Sequence, residues 1–167
     1  MYKIGLLAMV ASLMATLIAA AKVYGPPLCS GQPATIVGTA DDDTIVGTDE
    51  IDTIVALGGN DIIQGLGGAD QICGGAGRDR IRGGHGGDAL RGGRGPDLLR
   101  GGSFPDAYFG GPGDDRFHSK GLSNDILVGG PGNDLMDGGP KDFANYANEN
   151  GPVKVNLAEG TARSSSG

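Results

Sequence analysis

The sequence predicts an all-β fold, a solenoid of short stacked strands, on three observations. Aspartate recurs every nine residues at Asp43, Asp52, Asp61, Asp70, Asp79, Asp88, Asp97, Asp106 and Asp115, and Asp125 and Asp134 resume the interval after one extra residue near Ser119. Two positions after each aspartate stands a large apolar residue: Ile45, Ile54, Ile63, Ile72, Ile81, Leu90, Leu99, Tyr108, Phe117, Leu127 and Met136. A glycine-rich loop precedes most of the aspartates. Self-similarity at a short fixed period marks a repeat architecture. In a strand, successive side chains face opposite sides, which turns the apolar residue inward. One strand cannot bury that residue alone, so such units are stable only in series.

Composition agrees with this reading. The chain has 167 residues, the size of one domain. Its 34 glycines far exceed the usual share. They are periodic, which argues for repeated turns, where scattered glycine would argue for disorder. Trp is absent and aromatics are few, so the core is a thin continuous apolar strip. The net charge of -7 argues against nucleic acid as a partner, because phosphate binding needs a basic footprint. Arginines cluster between Arg78 and Arg100. They admit two readings, a patch for an anionic ligand or a solvated face that softens repulsion beside the aspartates, and the second is preferred.

Residues 1–21 read as an export signal. Lys3 gives a positive start, the stretch from Ile4 to Ala21 is apolar apart from small Gly, Ser and Thr, and Ala19-Ala20-Ala21 offers a small-x-small cleavage pattern. The alternative is an uncleaved membrane anchor, since about 18 apolar residues approaches the minimum for a span. Pro26-Pro27-Leu28 before Cys29 lacks the small residues that lipid modification prefers. Residues 22–37 form a Pro/Gly-containing lead-in. Cys29 and Cys73 are the only cysteines. In an exported chain they read as one disulfide joining the lead-in to the fourth repeat, the alternative being two unpaired thiols. Without nearby His partners they do not make a zinc site.

The repeat region covers residues 38–137. GGAGRDRIR from Gly74, GGHGGDALR from Gly83 and GGRGPDLLR from Gly92 are its cleanest units, and GGPGDDRFH from Gly110 and GGPGNDLMD from Gly129 return to the same form. These match G-G-x-G-x-D-x-U-x, where U is large and apolar. The chain resembles the hemolysin-type calcium-binding repeats, called RTX repeats, of bacterial exported proteins. The segment from Cys29 through Ala34-Thr35-Ile36-Val37-Gly38 to Cys73 also resembles the start of short exported calcium-binding repeat proteins of Gram-positive bacteria. The resemblance implies a parallel β-roll with several Ca²⁺ ions in its turns, two consecutive units making one coil. Ladder neighbours are then two units apart. One ladder is Asp43, Asp61, Asp79, Asp97, Asp115 and Asp134, and the other is Asp52, Asp70, Asp88, Asp106 and Asp125.

Loop chemistry accords with that implication. Calcium takes roughly 6–8 oxygen ligands from carboxylates and backbone carbonyls, and glycine lets a carbonyl approach an ion closely. The expected metal-binding residues are these eleven aspartates together with Gly59, Gly68, Gly75, Gly77, Gly84, Gly86, Gly93, Gly95, Gly111, Gly113, Gly130 and Gly132. Carboxylates one strand spacing apart repel by about 1 kcal/mol per neighbour in water, so folding is expected to couple to calcium. The competing reading is a metal-free solenoid whose aspartates only satisfy turn amides. Glycine at the fourth loop position of seven units weighs against it. Weaker or absent ions are expected where Phe104 and Pro105 precede Asp106, where the double glycine is lost before Asp125, and where Asp41 and Glu50 replace glycine, although these two could add carboxylates.

Residues 138–167 read as a cap strand and a polar tail. The register fails after Gly139, and Phe143 and Tyr146 are expected to cover the open end of the strip. Val153, Val155 and Leu157 alternate with polar residues, as in a strand, and a Ser/Gly tail follows.

No catalytic constellation emerges. His85 lies in a glycine loop, His118 ends a unit, Ser164 to Ser166 have no local base, and there is no His-Glu-x-x-His segment. The sequence thus reads as a non-enzymatic, secreted or cell-surface calcium-binding module with a structural or surface-interaction role, touching membrane only through its signal segment. The alternative is a truncated calcium-binding module of a larger secreted enzyme, toxin or adhesin. A solenoid that binds ice or polysaccharide through a flat threonine or aromatic face is disfavoured, because threonine follows the aspartate only at Thr44 and Thr53.

Overall fold

A computed structural model describes residues 25–119, 123–145, 154–157 and 161–163. The candidate export segment, residues 1–21, lies outside the described residues. Among those described there is no helix, and so none long and apolar enough to cross a membrane.

The chain opens with a short antiparallel hairpin, β1 (Leu28–Cys29) and β2 (Gln32–Pro33). Fifteen further strands then alternate between two parallel sheets. The eight-stranded sheet holds β3 (Ile36–Val37), β5 (Thr53–Gly58), β7 (Gln71–Ala76), β9 (Ala89–Arg94), β11 (Ala107–Phe109), β13 (Ile126–Val128), β15 (Phe143–Asn145) and β17 (Thr161–Arg163). The seven-stranded sheet holds β4 (Thr44–Val46), β6 (Ile62–Gly67), β8 (Arg80–His85), β10 (Leu98–Gly102), β12 (Arg116–His118), β14 (Leu135–Gly138) and β16 (Lys154–Leu157). Each nonapeptide supplies one turn and one strand, so the chain changes sheet at every unit and each strand lies on the strand of the second unit before it. Ile54 pairs with Ile72, Ile72 with Leu90, and Leu90 with Tyr108. The parallel β-roll expected from the repeats is the observed architecture.

Inside, one apolar residue per unit forms the strip. Ile45, Ile54, Ile63, Ile72, Ile81, Leu90, Leu99, Tyr108, Phe117, Leu127 and Met136 are all buried and form one continuous cluster. Burying a side chain of this size contributes about 1.5–3 kcal/mol, which a single turn cannot accumulate. Tyr108 fits because its hydroxyl accepts a hydrogen bond from the Gly101 N–H at 2.8 Å, and its ring meets Phe117 edge-on at 6.2 Å.

The C-terminal end departs from expectation. The register does not fail after Gly139. Asp142 falls eight residues after Asp134, a unit one residue short, and β15 pairs with β13 as the next rung. Ala144 takes the inward slot, 3% exposed, while Phe143 points outward at 51% and does not cover the strip. Tyr146 lies outside the described residues. The expected strand around Val155 is β16, stacked on β14 with Val155 against the core. β17, which pairs with β15, falls where the sequence reads as a polar tail. A strand joins a sheet edge through its backbone, so it needs neither the aspartate nor the glycines that make the earlier units visible.

The lead-in is anchored across the outer face of the eight-stranded sheet. Ser30 (φ 52°) and Gly31 (φ 87°) make the tight turn of the hairpin. Cys29 is buried and forms a disulfide with Cys73 of β7, with a Cα–Cα distance of 5.8 Å. Arg91 Nε donates to Ser30 Oγ at 2.6 Å, and the Arg91 guanidinium lies 4.1 Å from the centre of the Phe109 ring. By loop entropy a cross-link of this span stabilises by about 3–4 kcal/mol. Reduction, or the Cys29→Ala/Cys73→Ala pair, should lower unfolding stability by about that amount without changing the strand signal. Denaturant titrations of the oxidised and reduced chain would measure it.

Candidate metal centre

The two aspartate ladders run along the two edges of the roll, and the peptide backbone builds them. The N–H of Asp43 donates to Asp61 Oδ1 at 2.8 Å, Asp61 to Asp79 at 2.9 Å, Asp79 to Asp97 at 2.8 Å, Asp97 to Asp115 at 2.9 Å and Asp115 to Asp134 at 2.8 Å. On the other edge, Asp52 donates to Asp70, Asp70 to Asp88, Asp88 to Asp106 and Asp106 to Asp125, at 2.8–2.9 Å. That ladder has one more rung, from the Asp125 N–H to Asp142 Oδ1 at 3.1 Å. Asp142 is buried and was not anticipated from the sequence. The signal that could have found it is Gly138-Gly139-Pro140-Lys141-Asp142, a repeat loop with one residue deleted.

The second carboxylate oxygen divides the ladders. Asp43 Oδ2 accepts the Thr39 N–H at 2.6 Å and the Thr39 hydroxyl at 3.0 Å. Asp52 Oδ2 takes the same pair from Thr48, at 2.7 and 2.9 Å. Asp125 Oδ2 accepts from the Ser119 and Ser123 hydroxyls. Asp142 Oδ2 accepts the Gly139 N–H and bonds Ser119 Oγ, each at 2.6 Å. By contrast, Oδ2 of Asp61, Asp70, Asp79, Asp88, Asp97, Asp106 and Asp115 is buried with no hydrogen-bond partner. A buried polar atom left unpaired costs about 1–3 kcal/mol, more if charged. Thr39, Thr48, Ser119 and Ser123 are therefore the side chains that satisfy these carboxylates, and the repeat pattern conceals them.

Turn backbone surrounds these oxygens. Glycines at the second and fourth loop positions, Gly75 and Gly77, Gly84 and Gly86, Gly93 and Gly95, Gly111 and Gly113, Gly130 and Gly132, all have positive φ, as do Gly59 and Gly68. A Cβ on Gly77 would overlap the carbonyl oxygen of Gly59, and one on Gly95 that of Gly77. Carbonyls of one coil thus face the Cα of the next glycine, an approach open only to a residue without a side chain. The Gly59, Gly77, Gly95 and Gly113 N–H groups donate to the carbonyls of Ala76, Arg94, Pro112 and Pro131 in the next coil. Leu57 (φ 79°) and Leu66 (φ 80°) adopt the glycine conformation at their loops' second position, at some cost for a side-chain-bearing residue.

Among the described residues no three carboxylate, imidazole or thiol side chains converge. Asp41 and Glu50 accordingly do not assemble a carboxylate cluster with their neighbours. A cation here must draw on backbone carbonyls for much of its shell, as calcium does. The unpaired Oδ2 atoms and the glycine cradles suit that donor set. His85 is exposed in its loop, and His118 lies on the outer sheet face 3.6 Å from Asp137.

Burial shifts the aspartates. Asp61, Asp70 and Asp79 are raised above their ordinary 3.8, Asp88 to about 6, Asp97 and Asp106 to about 7 and Asp115 to about 8. Desolvation is the main cause, opposed by the peptide N–H on each carboxylate and reinforced by the preceding aspartate of the same ladder.

Stacked parallel strands joined by glycine turns with one inward carboxylate each define a calcium-binding β-roll. The chain belongs to the RTX calcium-binding nonapeptide repeat family, whose model matches residues 35–49, 46–81, 70–99 and 121–140, together just over half of the sequence. No curated protein and no solved structure gave a match. The family is a structural calcium-binding module and not a catalytic one.

Gly77→Ala should destabilise by about 2 kcal/mol or more through its positive φ and the Gly59 carbonyl. Gly58→Ala, where the nearest atom would lie at 3.5 Å, should be neutral or stabilising by about 0.5 kcal/mol. Thermal unfolding of the two variants separates these outcomes. The metal-free fold should also depend on pH. Its aspartates titrate higher folded than unfolded, so their contribution is fully present below about pH 4 and lost as pH rises through about 6–8. Circular dichroism of the chelated protein from pH 4 to 9 should show strand content falling with pH.

Proposed function

We propose that this chain is an exported calcium-binding protein whose β-roll folds on binding several Ca²⁺ ions outside the cytoplasm, with a structural or surface-interaction role. The observation that carries this reading is the row of buried, unpartnered Oδ2 atoms from Asp61 to Asp115. Ionised and unpaired, they oppose folding, and a divalent cation would reverse the sign of that opposition. The ions would be held by Asp61, Asp70, Asp79, Asp88, Asp97, Asp106 and Asp115 together with backbone carbonyls of the loop glycines from Gly59 to Gly132. Bound calcium supplies positive charge and a flexible oxygen shell, and the chain supplies the rigid spacing between coils. Asp43, Asp52 and Asp125 contribute less, because threonine or serine already occupies their second oxygen. Export rests on the signal-like residues 1–21 and on the Cys29–Cys73 disulfide, a bond of oxidising compartments.

Extracellular modules bind calcium with dissociation constants of about 10⁻⁴–10⁻³ M, and this range is expected here. Calorimetric titration followed by circular dichroism with and without chelator tests the proposal. Strand content should rise cooperatively with calcium, and strand content indifferent to calcium would refute the coupling. Asp97→Asn should weaken calcium binding at least tenfold, while Asp52→Asn should change it less than about twofold, as its second oxygen is satisfied by Thr48.

A further inference from the structure

The geometry points to a second binding surface, for a sulfate- or carboxylate-bearing polysaccharide, on the outer face of the seven-stranded sheet. Arg80, Arg82, Arg100 and Arg116 project from β8, β10 and β12, and all four are exposed. The register sets Arg82 beside Arg100, one strand spacing away, and sets Leu98 between Arg80 and Arg116. Among the described residues, none of the four guanidinium groups lies within ion-pair distance of a carboxylate; the one ion pair found is His118 with Asp137. These arginines thus lie on a solvated face, as the preferred reading expects, but without a carboxylate partner, since the ladder aspartates are buried at the turns. Like charges stacked on neighbouring strands are destabilising, and this chain, with a net charge of -7, concentrates them on one flat face.

The arrangement suits one kind of partner. Guanidinium groups bind carboxylate and sulfate-type oxygens through paired donors. Arg80, Arg100 and Arg116 line a shallow groove together with Pro96 and Leu98, and Arg82 flanks it beside Arg100. Asp137, which also lines it, is engaged by His118. Anionic groups carried on sugar rings match this pairing of charge with apolar floor. The patch extends over three strands, about 10 Å across. Duplex DNA, with one charge per about 1.7 Å, would overrun it onto loops that carry exposed Asp42 and Asp114. Single strands need stacking platforms, and no Phe, Tyr or Trp stands on this outward face among the described residues.

The test is calorimetry of the calcium-loaded full chain at low salt with dextran sulfate, heparin and hyaluronate, against neutral dextran and duplex DNA. Dextran sulfate carries only sulfates and hyaluronate only carboxylates, so the pair distinguishes the two anions. Binding to at least one anionic glycan, weakening steadily with salt, is expected. Arg82→Gln/Arg100→Gln should reduce it tenfold or more with the strand signal unchanged, and Arg116→Gln alone about threefold. Arg94→Gln, on the other sheet, should leave it within twofold. No binding to any of the three anionic polymers, equal binding to neutral dextran, tighter binding to duplex DNA, or undiminished binding by both the double and the Arg116 variants would overturn the proposal.

Discussion

One interaction recurs at every rung, the peptide N–H of an aspartate donating to the Oδ1 of the aspartate one coil further on. It holds coils in register and places each carboxylate where another lies directly above it. The bond offsets part of the repulsion between stacked carboxylates, yet it uses only one oxygen of each group. The other oxygen is left in the interior. The roll is therefore complete as a sheet and incomplete as an electrostatic structure, and this half-satisfaction is what links its folding to a cation.

The incompleteness is graded along the axis. At the first coil, Thr39 and Thr48 close the turns with their own hydroxyl and amide groups. Near the last, Ser119, Ser123 and Gly139 do the same for Asp125 and Asp142. The open carboxylates lie between these closed ends. The hairpin adds a third restraint on the N-terminal coils, covalent through Cys29 and polar through Ser30. An apolar strip one side chain wide gains stability only by length, so closed ends and a cross-link matter more here than in a globular core.

Most of this architecture was legible in the sequence because period, carboxylate and apolar slot are each written at a fixed place in every unit. The burial of all eleven apolar residues follows from that spacing, and the parallel pairing two units apart is what the resemblance to the RTX repeats implies. What was not legible depends on partners two coils distant. Nothing local marks Ser119 as a bridge between Asp125 and Asp142, and the one-residue deletion before Asp142 hides a genuine rung. β17 carries no motif, since edge pairing is made by backbone. Leu57 and Leu66 break the glycine rule, held opposite Gly75 and Gly84 of the next coil in a conformation that they would not choose alone.

The alternation of units between two sheets has a consequence for how such a chain can grow. Duplicating a single nonapeptide would move every downstream strand to the opposite sheet, and duplicating the unit between Arg82 and Leu98 would split Arg80 and Arg82 from Arg100 and Arg116. Duplicating two would lengthen the molecule by one full coil and leave each side's chemistry in phase. Even-numbered gain or loss is therefore the parity that heredity must respect if either surface is to keep its character.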